Sequence, residues 1–119
     1  MDNFEGFEDL GIWKEGMRLS VSIYAAMKEC KDFGLKDQIQ RASVSIPSNI
    51  AEGYERQTNK EFIQFLFIAK GSCGELRTQL YLAKELKYIS QENYTQLIDQ
   101  SKRLSAMIYN FIKTRRARP

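Results

Sequence analysis

The stretch TNKEFIQFLFIAKGSCGELRTQLYLAKELKY, running from Thr58 to Tyr88, decides the fold. It opens on Thr58 with Glu61 three residues on, the capping-box arrangement in which two side chains satisfy exposed backbone N–H groups at a helix start. Phe62, Leu66, Ala69, Cys73, Leu76, Leu80 and Ala83 then recur three or four residues apart, which is one apolar stripe of a helix. Ile63, Phe67, Gly71, Gly74 and Tyr81 form a second stripe, displaced around the same helix. A surface helix needs only one such stripe. A helix with two is central in a bundle or also faces another chain, so these five residues are read as an oligomer interface, its glycines permitting close approach.

Downstream, Ser90 and Glu92 open another helix, a capping hydroxyl followed by an acid in the first turn. Tyr94, Leu97, Ile98, Ser101, Leu104, Ile108, Phe111 and Ile112 trace its long face. Upstream, Ile39, Ala42, Ile46, Ile50 and Gly53 keep helical spacing from Lys36 to Arg56. Pro47 lies inside that stretch, where it removes one backbone bond and crowds the carbonyl of Ser43, so this second helix is predicted to be kinked or broken there. The hydroxyls of Ser43, Ser45 and Ser48 stand ready to satisfy what the proline frees. The first helix is expected from near Asp9, with Trp13, Met17, Tyr24 and Met27 on one face and Leu19, Ile23, Ala26 and Cys30 beside them. It should stop at Asp32-Phe33-Gly34, with Gly34 left-handed. Short connections favour antiparallel neighbours. The predicted fold is all-α, a single domain over residues 1–119: an antiparallel up-down-up-down four-helix bundle, with 113–119 as a basic C-terminal tail.

Composition supports that frame and narrows function. At 119 residues, 43% hydrophobic and 28% charged, the chain has the length and balance of one ordinary globular domain. No apolar run approaches the roughly 18 residues of a membrane span. Met1-Asp2-Asn3-Phe4-Glu5 lacks the basic-then-apolar layout of a signal peptide, so no membrane association and a cytoplasmic location are expected. Cys30 and Cys73 form no Cys-x-x-Cys pair and read as small apolar core residues. The chain has no histidine, which removes the commonest general base and the commonest transition-metal ligand.

Glu52 and Glu75 could in principle share a proton or a divalent metal, but carboxylate-bridged di-iron bundles use Glu-x-x-His motifs, and those are missing. No glycine-rich phosphate loop appears, and Gly71-Ser72-Cys73-Gly74 looks loop-like only in isolation, because it sits inside a helical pattern. The expectation is a protein that is not an enzyme, with no cofactor, no metal and no small-molecule substrate.

Two polar features remain. Arg41, Ser45, Ser48, Asn49, Glu52 and Arg56 are spaced along the second helix, with Ser72 and Glu75 able to face them from the third. They read either as a hydrogen-bonded network fixing register near Pro47 or as an anion site built on Arg41 and Arg56. The second feature is the tail. Net charge is only +3, yet Lys113, Arg115, Arg116 and Arg118 crowd the last seven residues with no acid among them. They read either as phosphate contacts, hence candidate RNA-binding residues, or as a solvated terminus.

Three segments carry a resemblance: Leu10 to Lys14 (LGIWK), Gln40 to Gly53 (QRASVSIPSNIAEG), and Phe62 to Leu76 (FIQFLFIAKGSCGEL). They resemble the 23S rRNA intervening-sequence protein family, also called four-helix-bundle proteins, over nearly the whole chain. SIPSNIAEG, from Ser45 to Gly53, is the most specific of these signatures. The resemblance implies a four-helix bundle that assembles into a ring-like homopentamer, encoded by a bacterial gene whose relatives can lie within insertions in ribosomal RNA genes. More distantly, the chain is similar to accessory proteins of diversity-generating retroelements, which are pentameric, basic and work with a reverse transcriptase and nucleic acid. Together these lead to an expected self-assembling accessory protein binding structured RNA or a ribonucleoprotein through basic surface residues. The alternative is a protein-interaction scaffold without nucleic-acid affinity.

Overall fold

The computed structural model describes residues 5–118; the residues at Met1–Phe4 and at Pro119 lie outside them. A short 3₁₀ turn, Phe7–Asp9, leads into α1 (Gly11–Ala26), α2 (Phe33–Tyr54), α3 (Asn59–Glu85) and α4 (Gln91–Arg116). Each helix packs against its neighbours in sequence, and α1 closes the square against α4. Among the described residues the backbones of α1 and α3, and of α2 and α4, do not approach each other, so those pairs lie on the diagonals of a four-helix bundle. Contacts run in opposite directions along adjacent helices. Ser20 and Gly16 of α1 meet Ser43 and Pro47 of α2, and Asn59 at the start of α3 meets Arg115 at the end of α4.

The core is one cluster filling the centre of this square. Leu19 and Ile23 of α1 with Met27 just after it, Ile39, Ile46 and Ile50 of α2, Leu66, Cys73, Leu76 and Leu80 of α3, and Leu104, Ile108 and Ile112 of α4 are all essentially closed to solvent. The first apolar stripe of α3 is therefore the one that faces inward. From α1 and its cap the core takes Ile12, Leu19, Ile23 and Met27, whereas Met17 and Tyr24 of the expected face point outward with Val21.

Capping explains most of the helix starts. The Thr58 hydroxyl accepts from Glu61 N at 3.1 Å, and Ser90 does the same for Asn93 N. Asp32 caps α2 through Leu35 N, which places Gly34 inside the first turn of α2 and not at the end of α1. No glycine among the described residues has positive φ. The left-handed residue is Lys87, φ 64°, after α3. There Tyr88 N donates to Ala83 O and Lys87 N to Lys84 O, the two bonds of a Schellman ending. α1 begins at Gly11, two residues past Asp9, whose carboxylate accepts from Glu5 N.

At Pro47 the helix is not broken into two; α2 runs through it as one element. The proline lacks the N–H that would have satisfied the Ser43 carbonyl. That carbonyl instead accepts from the Ser20 hydroxyl of α1 at 2.8 Å, in a buried position. Ser43 Oγ donates back to Gln40 O, so it does not serve the freed group. Gly16, one turn before Ser20, gives the proline ring room: an added Cβ there would stand 3.3 Å from Pro47 Cβ. A glycine and a serine on the neighbouring helix thus allow the α1–α2 approach that replaces the lost bond.

Candidate functional site

Of the polar set on α2, the structure brings together only part. Asn49 Nδ2 donates to Ser45 O at 2.8 Å and to Ser45 Oγ at 2.9 Å, and Ser45 Oγ lies 2.9 Å from Ser72 Oγ of α3. This Asn49–Ser45–Ser72 link is half-buried and joins α2 to α3. Glu52, Ser48 and Glu75 are exposed and make no side-chain hydrogen bond or ion pair among the described residues. Arg56 bonds Glu61 at 3.0 Å, and Arg41 bonds Asp37 one turn earlier at 2.8 Å. The expected network of Asn49, Glu52, Arg56 and Glu75 is therefore corrected to a hydroxyl–amide chain. The helix turns its carboxylates outward, where water solvates them without the cost of burial. Arg41 and Glu75 do line one α2–α3 cleft of about 310 Å³ with Ser45, but its charges are mixed.

The basic residues near the end of the chain are not a loose tail. Lys113, Arg115 and Arg116 form the last turn of α4, where cations complement the helix dipole. Arg115 is tied down: its Nε donates to Asn59 Oδ1 at 2.9 Å and its carbonyl accepts from Asn59 Nδ2 at 2.9 Å. Its guanidinium also sits 5.1 Å from the Phe62 ring centre. That geometry closes the open end of the bundle. Arg116 lies 5.0 Å from the Phe67 ring centre, and Arg118 is beyond the helix.

A row of positive charge continuous with this last turn runs along the seam of α3 and α4. Lys70, Arg77 and Lys84 recur at i, i+7 and i+14 on α3, and so share the edge that borders α4. Lys102, Lys113 and Arg116 answer from α4. Midway, a cleft of about 320 Å³ is lined by Lys70, Arg77, Lys102, Ser105, Ala106 and Tyr109, without a carboxylate. Aromatic rings hold these cations in place. Lys70 and Lys113 both approach the Tyr109 ring, at 5.7 and 5.3 Å, and Lys84 stands 4.5 Å from Tyr94. None of the four ion pairs among the described residues involves these seam cations. From Phe67 to Lys84 the seam is about 26 Å long at 1.5 Å per residue. The signal was present in the sequence as the seven-residue spacing of Lys70, Arg77 and Lys84; the denser run at the end of the chain masked it.

Arg77 is the fixed element of that cleft. Its Nη1 donates to Ser101 Oγ at 3.3 Å, and Ser101 Oγ donates to Cys73 O at 3.3 Å. Behind it, burial raises the Cys73 thiol from 9.0 to about 11, against the opposing pull of Arg77 and Lys70. Cys73 is thus a neutral core thiol, not a poised nucleophile. Because its folded value lies above its unfolded one, the stability this thiol contributes is intact below about pH 9 and is lost as pH rises through 11. We expect a loss of up to about 3 kcal/mol over that window. Denaturant melts at pH 8 and pH 11 should show this component in the native protein and not in Cys73→Ala, whose neutral-pH stability is lower.

The expected interface residues divide. Phe67 and Tyr81 are exposed, Gly71 has nothing within 4 Å of an added Cβ, and Gly74 meets only the end of Arg77. These four leave an open surface, extended by the exposed Ile68 and Leu82. Ile63 instead packs on the edge of the core. A second exposed stripe, Met17, Val21 and Tyr24, lies on α1. Among the described residues no group of three metal-ligating side chains gathers, and no helix is long and apolar enough to cross a membrane.

Comparison with known proteins places the chain within a family. The model of the family described as 23S rRNA-intervening sequence protein matches residues 8–110. A crystal structure from Bacteroides thetaiotaomicron, described as a protein with unknown function from the S23 ribosomal protein family, is similar at a TM-score of 0.81 and 28% identity. The match covers 86% of this chain and 98% of that one. No curated protein matches.

Proposed function

The chain belongs to the 23S rRNA-intervening sequence protein family, and from that membership we propose a non-enzymatic, self-assembling accessory protein that binds structured RNA or a ribonucleoprotein through its α3–α4 seam. The observation that carries the reading is the row of unpaired cations from Lys84 past Lys70, Arg77 and Lys102 to Arg116. Cations free of carboxylate partners gain most from meeting phosphates, because no ion pair must be broken and counterions are released. The rings along the seam are already faced by lysine and arginine, which favours contact with the backbone over stacking on bases. A salt titration of affinity for ribosomal RNA fragments tests this. Binding should weaken steeply between about 50 and 200 mM salt; absence of binding at low salt would favour a protein-interaction scaffold.

Self-assembly, as a pentamer by the family likeness, is supported by the two exposed apolar stripes. Met17, Val21 and Tyr24 on α1 and Phe67, Ile68, Tyr81 and Leu82 on α3 belong to diagonal helices, so they face away from each other. A chain with different apolar faces on opposite sides joins head to tail, which produces a ring when the rotation closes. Ring closure would also multiply the seam cations and raise avidity for a multivalent RNA. Gly71→Ala probes the α3 face. With open space around the new methyl, the substitution should raise the stability of the single chain by about 1 kcal/mol. By blocking close approach of a second copy, it should at the same time weaken association measured by sedimentation. Unchanged association would remove Gly71 from the contact.

A further inference from the structure

Three cations line the shallow α3–α4 cleft, and the groups around them are suited to one kind of ligand. Lys70 and Arg77 come from α3, and Lys102, Ser105 and Tyr109 from α4, around a concavity of about 320 Å³. Arg77 is half-buried and held by Ser101 Oγ, so less side-chain freedom is lost when it meets a ligand. Lys70 rests against the Tyr109 ring. Ser105 and Tyr109 add hydroxyls able to donate to an oxyanion. The other clefts do not share this character. The one between α2 and α3 includes Glu75, the one beside the α1–α2 turn includes Glu29 and Asp32, and at the α2–α3 turn Arg56 is already paired with Glu61.

Charge decides which anion fits. An internal phosphodiester carries one negative charge and leaves most of the cleft's positive charge uncompensated. A phosphomonoester carries about −1.5 to −2 at neutral pH, has a second pKa near 6, and offers three strong acceptor oxygens. We propose that this cleft is a phosphomonoester site, and that the group it takes is the terminal phosphate of an RNA strand whose backbone lies along the seam. The proposal rests on the seam being the RNA-binding face, and it adds that the protein recognises strand ends.

The chain itself supplies a clean test, because it has no histidine, the side chain that ordinarily changes charge between about pH 5 and 8. The titratable groups lining the cleft are Lys70 and Arg77 from α3 and Lys102 and Tyr109 from α4, and the nearby Cys73 thiol is buried in the core. Lysine, arginine and tyrosine ordinarily keep their charge state across that window, and the Cys73 thiol is pushed up to about 11. A change in selectivity between about pH 5.5 and 7.5 therefore reports the ligand's second ionisation. The experiment compares one RNA hairpin carrying a terminal phosphate with the same hairpin ending in hydroxyls, with inorganic phosphate and a nucleoside monophosphate as competitors.

At pH 7.5 the phosphorylated hairpin should bind about tenfold more tightly, and most of that preference should vanish at pH 5.5. Inorganic phosphate should compete it down to the affinity of the hydroxyl hairpin. Lys102→Ala, at an exposed position, should abolish the preference while leaving the fold intact, and Arg77→Lys should weaken it. Equal affinity for the two hairpins at pH 7.5 would overturn the proposal, even if both bind with steep salt dependence and so leave the RNA reading standing. Binding of phosphate or the mononucleotide in the cleft, lost in Lys102→Ala, without binding of either hairpin would keep the phosphomonoester site, assign it to a mononucleotide, and overturn the RNA reading.

Discussion

Gly53→Ala is expected to cost the bundle about 2–4 kcal/mol, enough to leave much of a small domain unfolded at moderate denaturant. Alanine would ordinarily improve a helix interior by about 1 kcal/mol over glycine. Here the added Cβ would stand 2.6 Å from Phe65 Cβ, 3.0 Å from Phe62 Cδ1 and 3.3 Å from Phe62 O. Two of those atoms belong to backbone or to the carbon attached to it, so no rotamer change clears them. The last turn of α2 would have to move away from α3 at the point where Tyr54 meets Phe62 edge to face and Phe62 meets Phe111. That aromatic cluster joins α2, α3 and α4 at the end of the bundle closed by Asn59 and Arg115. Urea denaturation followed by circular dichroism measures the loss. Gly71→Ala on the open face of α3 is the matched substitution with the opposite expected sign. Equal stability of the Gly53→Ala and native proteins would mean that α2 and α3 can separate at no cost, contrary to the packing described.

That contrast also shows which parts of the fold were legible in sequence. Apolar spacing identified the inward stripes of α2, α3 and α4, because burial selects one face and the helix repeats it every three or four residues. Threonine at 58 and serine at 90 announced helix starts, since a side-chain oxygen meeting an N–H three residues ahead is a local interaction. The end of α3 was not legible. Lys87 adopts the left-handed conformation where glycine is the usual choice, held there by two backbone bonds that leave no mark in composition. The accommodation of Pro47 was illegible for another reason. Its freed carbonyl is satisfied by Ser20, which is distant in sequence, and only the packing of α1 on α2 brings them together.

The candidate site was legible as chemistry and only partly by place, with Lys113 and Arg116 at one end of the seam. Absence of histidine and of nucleotide loops directed attention to charge, and the run at Lys113–Arg118 was the densest cluster in one dimension. In three dimensions Arg115 is occupied with Asn59, while Lys70, Arg77, Lys84 and Lys102, scattered along two helices, line one seam. The acidic residues at 52 and 75 misled in the same way. Spacing put them near Asn49 and Ser72, but spacing alone does not say whether a carboxylate is turned to the core side or to water.

Neutralising Lys102, Lys113 and Arg116 together to glutamine is expected to lower RNA affinity by about a hundredfold or more at roughly 50 mM salt and to flatten its salt dependence. Each phosphate neutralised contributes roughly 0.7–0.9 to the slope of log affinity against log salt, so removing these three cations should reduce the slope by about 2–3. All three residues are exposed, and none makes an ion pair among the described residues, so the bundle should fold with little change. This triple substitution is a better probe than removing everything after Ile112. Such a truncation would also delete Arg115, leaving the Asn59 amide without its partners at the start of α3 and mixing loss of stability with loss of charge. Arg41→Gln with Arg103→Gln, which removes two charges where the seam variant removes three, is the comparison that separates position from most of the change in net charge. Both arginines are exposed and paired with Asp37 and Asp99 on their own helices, away from the cleft of the seam. If the seam is the binding face, the triple variant loses affinity and slope while the Arg41/Arg103 variant stays within a fewfold of the native protein. Equal losses in the two variants would mean that RNA responds to overall charge and to no particular face. A native protein that shows no RNA binding at low salt would leave the two apolar stripes as its working surfaces and the scaffold reading as the one to pursue.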